Sequence, residues 1–233
     1  MHRDVPQDAH PHGASALDQL RALATDRERE ASRRFERARD RDEHLLTRGL
    51  VRSTLARALG CAADRIELGR GSHGRPFIAY PPCALDFNVA HSGGLVACLI
   101  GPAALSFGVD VEDMRRLRAL EVADDFFAPA EVEAIRAAPA SEAQRILLSF
   151  WTLKEAYIKA RGLGLAIPLH SFAFDLEGGR IRLTIGEDNP VLPDGARDEG
   201  GAWSFRLVER SEHLIAIAAR SSPLPELRVR SVT

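Results

Sequence analysis

Lysine is nearly absent from this 233-residue sequence: Lys154 and Lys159 are the only two among 31 basic residues, and the other 29 are arginine. Cysteine is scarce as well. Cys61, Cys83 and Cys98 are odd in number, far apart and free of any CxxC pair, which excludes zinc or redox work by such a pair and fits a reducing cytosol. A net charge of −2 gives no global attraction to nucleic acid or membrane, so an anion has to be bound by a local cluster of positive charge. Long hydrophobic runs are missing too. The most apolar stretch, LVACLIGPAALSFGV at 95–109, is broken by Gly101 and Pro102 and is too short for a membrane span. The start, MHRDVPQDAHPHGASA, lacks the basic-then-apolar order of a signal peptide and reads as a flexible leader. At 45% hydrophobic and 27% charged residues, the composition is that of an ordinary globular, soluble, cytoplasmic protein.

From Leu17 to Leu59 the text is helical in character and predicts two or three helices. Between Asp26 and Arg52 nine arginines face seven acids, a solvated helix laced with ion pairs of which a subset is free to reach a phosphate. IELGRG and RPFIAY read as strands about a Gly-rich turn, followed by LDFNVAHS, LVACLIG and LSFGVDVE as three more, which together make one small α+β unit. The second half repeats that order. Helical VADDFFAPAEVEAIRA and SEAQRILLSFWTLKEAYIKARG precede strands FAFDL and RIRLTI about EGG, then WSFRLVE and HLIAIAAR about SEH. Leu45, Leu46, Ala58 and Gly60 lie 102 residues before Leu147, Leu148, Ala160 and Gly162, so both long helices begin with a Leu pair and stop at Gly. The expectation is two similar lobes with a cleft between them.

Four short stretches carry candidate chemistry. In GVDVE (108–112) strand alternation turns Asp110 and Glu112 to one side and Val109 and Val111 to the core. The simpler reading is a solvated strand end; the functional one is a pair of carboxylates held around an oxygen-preferring cation, magnesium or manganese. In WTLKEAYIK (151–159), Trp151, Glu155 and Lys159 share one helix stripe, and the flanking Phe150, Tyr157 and Ile158 predict a helix largely buried between the lobes, where charges need partners. An ammonium is a compact, mobile point charge and guanidinium a rigid fork. Both lysines falling here therefore mark either chance in an arginine-rich chain or a metal and phosphate site. In FNVAHSGG (87–94), Asn88, His91 and Ser92 sit where a strand breaks into a Gly turn that offers donors to an anion. In GSHGRPF (71–77), Arg75 lies between flexible Gly74 and rigid Pro76, suited to a loop against a flat ring or a phosphate.

Taken in chain order, RRFERARDR, GRPF, FNVAHS, FGVDVE and FWTLKEAYIKARGLGL resemble the motif series of the 4′-phosphopantetheinyl transferases, specifically the two-lobed monomeric type that activates peptide synthetases and polyketide synthases. The match runs from about Arg33 to Phe174, and GVDVE followed some forty residues later by WxxKEAxxKxxGxG is its specific part. The resemblance implies an α+β fold of two lobes related by pseudo-twofold symmetry with the active site between them: a leader at 1–16, lobes at 17–104 and 105–222, and a tail at 223–233. It implies transfer of the phosphopantetheine arm of coenzyme A to a serine of an apo acyl or peptidyl carrier protein, with release of 3′,5′-ADP, in nonribosomal peptide or polyketide biosynthesis. By motif position Asp110, Glu112 and Glu155 hold Mg²⁺ or Mn²⁺, Glu155 doubles as the base, and Lys159, with Lys154, meets the pyrophosphate. His91, Ser92 and Asn88 face the phosphates of coenzyme A, Gly74, Arg75, Pro76 and Phe77 its adenine, and Arg39 or Arg41 its 3′-phosphate.

Some residues depart from the family pattern. Ala90 replaces the usual Ser before the motif histidine, GRP replaces GKP, and Glu28, Ala31 and scattered arginines stand where some relatives have lysines. The strand expected ahead of the helices is barely visible in residues 1–16. Three rivals remain: a transferase dedicated to one fatty-acid carrier, whose compact trimeric type is about half this length; a non-catalytic module that binds carrier proteins; and an unrelated Mg²⁺-dependent phosphohydrolase.

Overall fold

The computed structural model describes residues 15–116, 122–190 and 197–232. Most of the expected leader, and with it the weak first strand, lies outside the described residues. The fold is α+β. Helices α1 (Ala16–Ala22), α2 (Asp26–Ser32) and α3 (Ala38–Leu59) open the chain. Ser15 caps α1 by accepting from the Asp18 amide, and Thr25 with Glu28 forms a reciprocal capping box on α2. Glu28 also takes Arg52 of α3 at 3.0 Å, so one carboxylate serves as both helix cap and interhelix tie.

Two hairpins follow. Strands β1 (Glu67–Arg70) and β2 (Pro76–Tyr80) pair antiparallel about the 71–75 loop, and β3 (Leu85–Ser92) pairs with β4 (Leu95–Pro102) about Gly93 and Gly94, both at positive φ. Then come β5 (Phe107–Asp113), the short helices α4 (Val122–Phe126) and α5 (Pro129–Ala137), and α6 (Ala140–Arg161). The chain ends in β6 (Phe172–Asp175), β7 (Arg182–Ile185), β8 (Ser204–Arg210) and β9 (His213–Ala219). Both α3 and α6 are 22 residues long and both stop at a glycine in the left-handed region, Gly60 and Gly162. Their first residues are 102 apart, the offset at which the sequence overlays.

The grouping of LSFGVDVE with the helices and four strands ahead of it is corrected by the strand pairing. Strand β5 forms its ladder with β9, in an antiparallel sheet of order β5-β9-β8, and not with β4. It meets the first half through side chains instead. Asn88 Oδ1 accepts from the Val109 amide at 3.0 Å and Ser92 Oγ from the Asp113 amide at 3.2 Å. Both bonds span 21 residues, so β3 and β5 run parallel, stitched by side chains along a seam. Ala90, Val109 and Val111 fill that seam with Leu99 and Ile217. The larger core gathers on α6, where Leu147, Leu153, Tyr157 and Phe172 are 2% exposed or less. Among the described residues no helix is long and apolar enough to cross a membrane.

Helix α6 lies on β5 with almost no intervening atoms. A Cβ at Gly108 would stand 2.2 Å from the Ala156 carbonyl oxygen and 2.6 Å from the Ala160 nitrogen, both backbone atoms that no rotamer change can move. Substitution Gly108→Ala therefore has to push α6 away from β5. Urea denaturation should register a loss of at least about 2 kcal/mol, within the usual range for overpacking, and a change below about 0.5 kcal/mol would mean that the two backbones are not in contact.

Candidate active site

The close approach at Gly108 decides what the next residue on the same face of β5 meets. Asp110 points at α6 and is only 5% exposed, while Val109 and Val111 turn to the seam. On α6 nearly every residue of the last three turns is buried, and the half-exposed positions Trp151, Glu155 and Lys159 form the stripe expected from their spacing. Lys159 Nζ donates to Asp110 Oδ1 at 2.6 Å. The other oxygen, Oδ2, is buried without a hydrogen-bond partner. Burial pushes the Asp110 carboxyl up to about 7; Lys159 opposes that rise, and the neighbouring charges of Glu112 and Glu155 add to it. Asp110, Glu112, Glu155 and Lys159 thus come together as one cluster, three carboxylates against one ammonium.

That cluster suits a divalent cation. Its donors are all oxygen, as hard cations require, and one buried oxygen has no hydrogen-bond partner. Among the described residues no three His, Cys, Asp or Glu side chains already converge at ligating distance; the Lys159 ammonium holds Asp110 instead.

Beside the cluster, at the end of β3, His91 and Ser92 face opposite ways. Ser92 is buried toward β5, its hydroxyl 3.5 Å from Glu112 Oε2. His91 is exposed on the α3 side, its Nδ1 2.6 Å from Glu43 Oε1. There it lines a cavity of about 340 Å³ with Asp40, Glu43, His44, Thr47 and Arg48 of α3, Arg70 of β1 and Pro76 of β2. His44 Nε2 is buried without a partner, and burial holds both His44 and Arg48 below their ordinary values. The five α3 residues recur at i, i+3, i+4, i+7 and i+8, a stripe the charged run hides because every face of it carries charge. His44 and Arg48 are cavity-lining residues that sequence reasoning did not single out. That stripe spacing was the available signal.

Several expected contacts are placed elsewhere. Lys154 is fully buried away from Asp110: its ammonium donates to the Leu169 and Phe172 carbonyls and to Glu131 at 2.8 Å, inside the α6 core. It is a structural ion pair, because α6 turns it about 140° from Lys159. Asn88 is a seam stitch, its side-chain oxygen taken by β5. Arg41 donates to the Phe35 and Glu36 carbonyls ahead of α3, and Arg39 is exposed outside the cavity lining. Gly74 shapes the loop at φ 79°, and Arg75 is committed to Asp86 at 2.8 Å and to backbone carbonyls of β5 and α6.

A family profile described as the 4′-phosphopantetheinyl transferase superfamily matches residues 106–218, and one described as the N-terminal part of 4′-phosphopantetheinyl transferase matches 10–101. A phosphopantetheinyl transferase of Thraustochytrium sp. is 34% identical over 224 residues, 89% of this chain and 74% of that protein. The 4′-phosphopantetheinyl transferase HetI of Nostoc sp. is 34% identical over 208 residues, 88% of this chain and 81% of that protein. A crystal structure of the holo-[acyl-carrier-protein] synthase of Neisseria meningitidis overlays 49% of this chain and 95% of that one, at 18% identity and a TM-score of 0.40.

Asp110 makes stability depend on pH with a definite sign. The folded protein keeps that proton up to about pH 7, whereas the unfolded chain releases it near the ordinary 3.8. Its contribution to stability therefore falls as pH rises from about 4 to 7 and is level above that. In metal-free buffer the Asp110→Asn variant should overtake the wild type as pH rises, by at most about 4 kcal/mol at about 1.4 kcal/mol per pH unit. Urea midpoints at a series of pH values would show it, and a gap that stays constant from about pH 4 to 8 would contradict the burial of this carboxyl.

Proposed function

The chain belongs to the 4′-phosphopantetheinyl transferase superfamily and is a transferase, and on that premise we propose that it moves the phosphopantetheine arm of coenzyme A to a serine hydroxyl of an apo acyl or peptidyl carrier protein. The observation that carries this reading is the Lys159 to Asp110 ion pair with its unsatisfied second oxygen, formed where FGVDVE and WTLKEAYIK meet. In this reading Asp110, Glu112 and Glu155 hold Mg²⁺ or Mn²⁺. When bound, the cation supplies Lewis-acid stabilisation to the charge on the pyrophosphate.

The remaining work falls to the side chains. Coenzyme A brings several negative charges to a chain of net charge −2, so local cations must receive them. Arg48 and Arg70 bring two guanidinium groups to the 340 Å³ cavity beside the cluster, where Asp40 and Glu43 also line the wall and the His44 and His91 rings offer hydrogen-bonding nitrogens, and that cavity takes the nucleotide end, with Pro76 against it. Lys159, 29% exposed at the edge of the cluster, is a mobile donor to a pyrophosphate oxygen. Glu155, one turn earlier on the half-exposed stripe, takes the serine proton directly or through water. The serine oxygen then bonds to the phosphorus that carries pantetheine as that phosphorus releases the bridging oxygen, and 3′,5′-ADP leaves with that oxygen on its 5′-phosphate. The reading takes the chain as a cytoplasmic monomer acting in nonribosomal peptide or polyketide synthesis.

Intact-mass spectrometry of an apo peptidyl carrier protein incubated with this protein, coenzyme A and Mg²⁺ should show a gain of one phosphopantetheine arm that EDTA abolishes. Glu155→Gln should lower turnover by about 100-fold or more, as loss of a general base does, while leaving coenzyme A binding nearly intact. Phosphate release from coenzyme A without carrier modification would mean a phosphohydrolase. Failure with several acyl and peptidyl carriers despite coenzyme A binding would mean a binding module.

A further inference from the structure

We propose that Arg75 is a positioning residue, a guanidinium cap on the C-terminal end of α6 that holds Lys159 and Glu155 opposite Asp110. This rests on the transfer role given to those two residues in the preceding section. The last four carbonyls of a helix have no partner within it and carry the negative end of the helix dipole, so the final turn is where a helix loosens first. In α6 that turn contains Lys159. Arg75 Nη1 donates to the Lys159 carbonyl, which also receives the Gly162 amide at 3.1 Å, an amide it shares with the Ile158 carbonyl. The Arg75 side chain lies across the helix stop, with its Cδ 3.6 Å from where a Cβ on Gly162 would be.

The same guanidinium reaches two further elements. Nη2 donates to Asp86 Oδ2 of β3 at 2.8 Å and lies 3.4 Å from the Phe107 carbonyl at the start of β5. Asp86 is in turn fixed by accepting from the Phe87 amide at 2.8 Å. One planar fork therefore joins the 71–75 loop, β3, β5 and the end of α6. A lysine ammonium offers no such plane and would satisfy only part of the set. Because Asp110 sits on β5 and its partner Lys159 on α6, the relative setting of these two elements sets the geometry of the cluster. A displacement of about 1 Å at such a site costs up to about 100-fold in rate.

Steady-state kinetics of carrier modification with coenzyme A varied separate this role from direct ligand contact. A residue that binds substrate uniformly changes KM, whereas one that orders the reacting groups changes kcat. For Arg75→Ala we expect kcat to fall about tenfold or more with KM for coenzyme A within about twofold. Arg75→Lys should recover part of the loss, and Asp86→Asn should lower kcat in the same direction. A tenfold rise in KM with kcat unchanged, or no change in either constant, would overturn the proposal. Should Arg75→Ala fail to fold, Arg75→Lys and Asp86→Asn decide by the same split. Inactivity of the wild type toward every carrier would instead sink the transfer reading, and that result is seen before any variant is made.

Discussion

A carboxyl group buried between a strand and a helix, with one ammonium on one oxygen and nothing on the other, is the constraint around which this structure is arranged. Asp110 occupies that position because Gly108, two residues earlier, lets the α6 backbone touch β5. The side-chain stitches from Asn88 and Ser92 hold β5 against β3, so the carboxylates of β5 and the residues at the end of β3 share one edge. Arg75 closes the arrangement from the far end of α6. Each of these contacts is between elements distant in the chain, and each bears on where Asp110 and Lys159 meet.

The two lysines show how differently one helix can use the same side chain. Around Lys154 all three ammonium hydrogens find acceptors, and Glu131 also accepts from the Ala128 and Phe174 amides. That buried pair is satisfied and has no capacity left for a ligand. Its acceptors lie in different directions around a point, which a compact ammonium can meet and a planar guanidinium cannot. The pair of Lys159 and Asp110 is half satisfied, raised in energy by burial and by two further carboxylates. A site in that state gains most from an incoming cation. In an arginine-rich protein lysine persists at two places, one in a closed buried pair and one in a pair open at its second oxygen.

Much of the architecture was legible because its signals are local. Alternation in GVDVE, the Gly stops of the long helices and the turns between strands placed the elements, and the four-residue spacing of Glu155 and Lys159 placed them on one face. What escaped was pairing across the chain. Nothing local in LSFGVDVE tells that its ladder partner is β9, more than a hundred residues away. The partners of Lys154, Asn88 and Arg75 escaped for the same reason: their residue types suit an anion, but the structure engages them with backbone and carboxylate groups that only the folded chain brings near. His44 and Arg48 were hidden in a helix charged on every side, where exposure cannot be told from composition.

The central claim is that the Asp110 cluster is a cation site whose carboxyl loses its proton to the buffer when the metal binds. Calorimetric titration of Mg²⁺ into the metal-free protein with coenzyme A present, near pH 6.5 and in buffers of different ionisation enthalpy, tests it directly. Since Asp110 holds its proton up to about pH 7, binding there should release a substantial fraction of one proton, and Asp110→Asn should abolish the release. Heats independent of the buffer, or a release that persists in Asp110→Asn, would contradict the account.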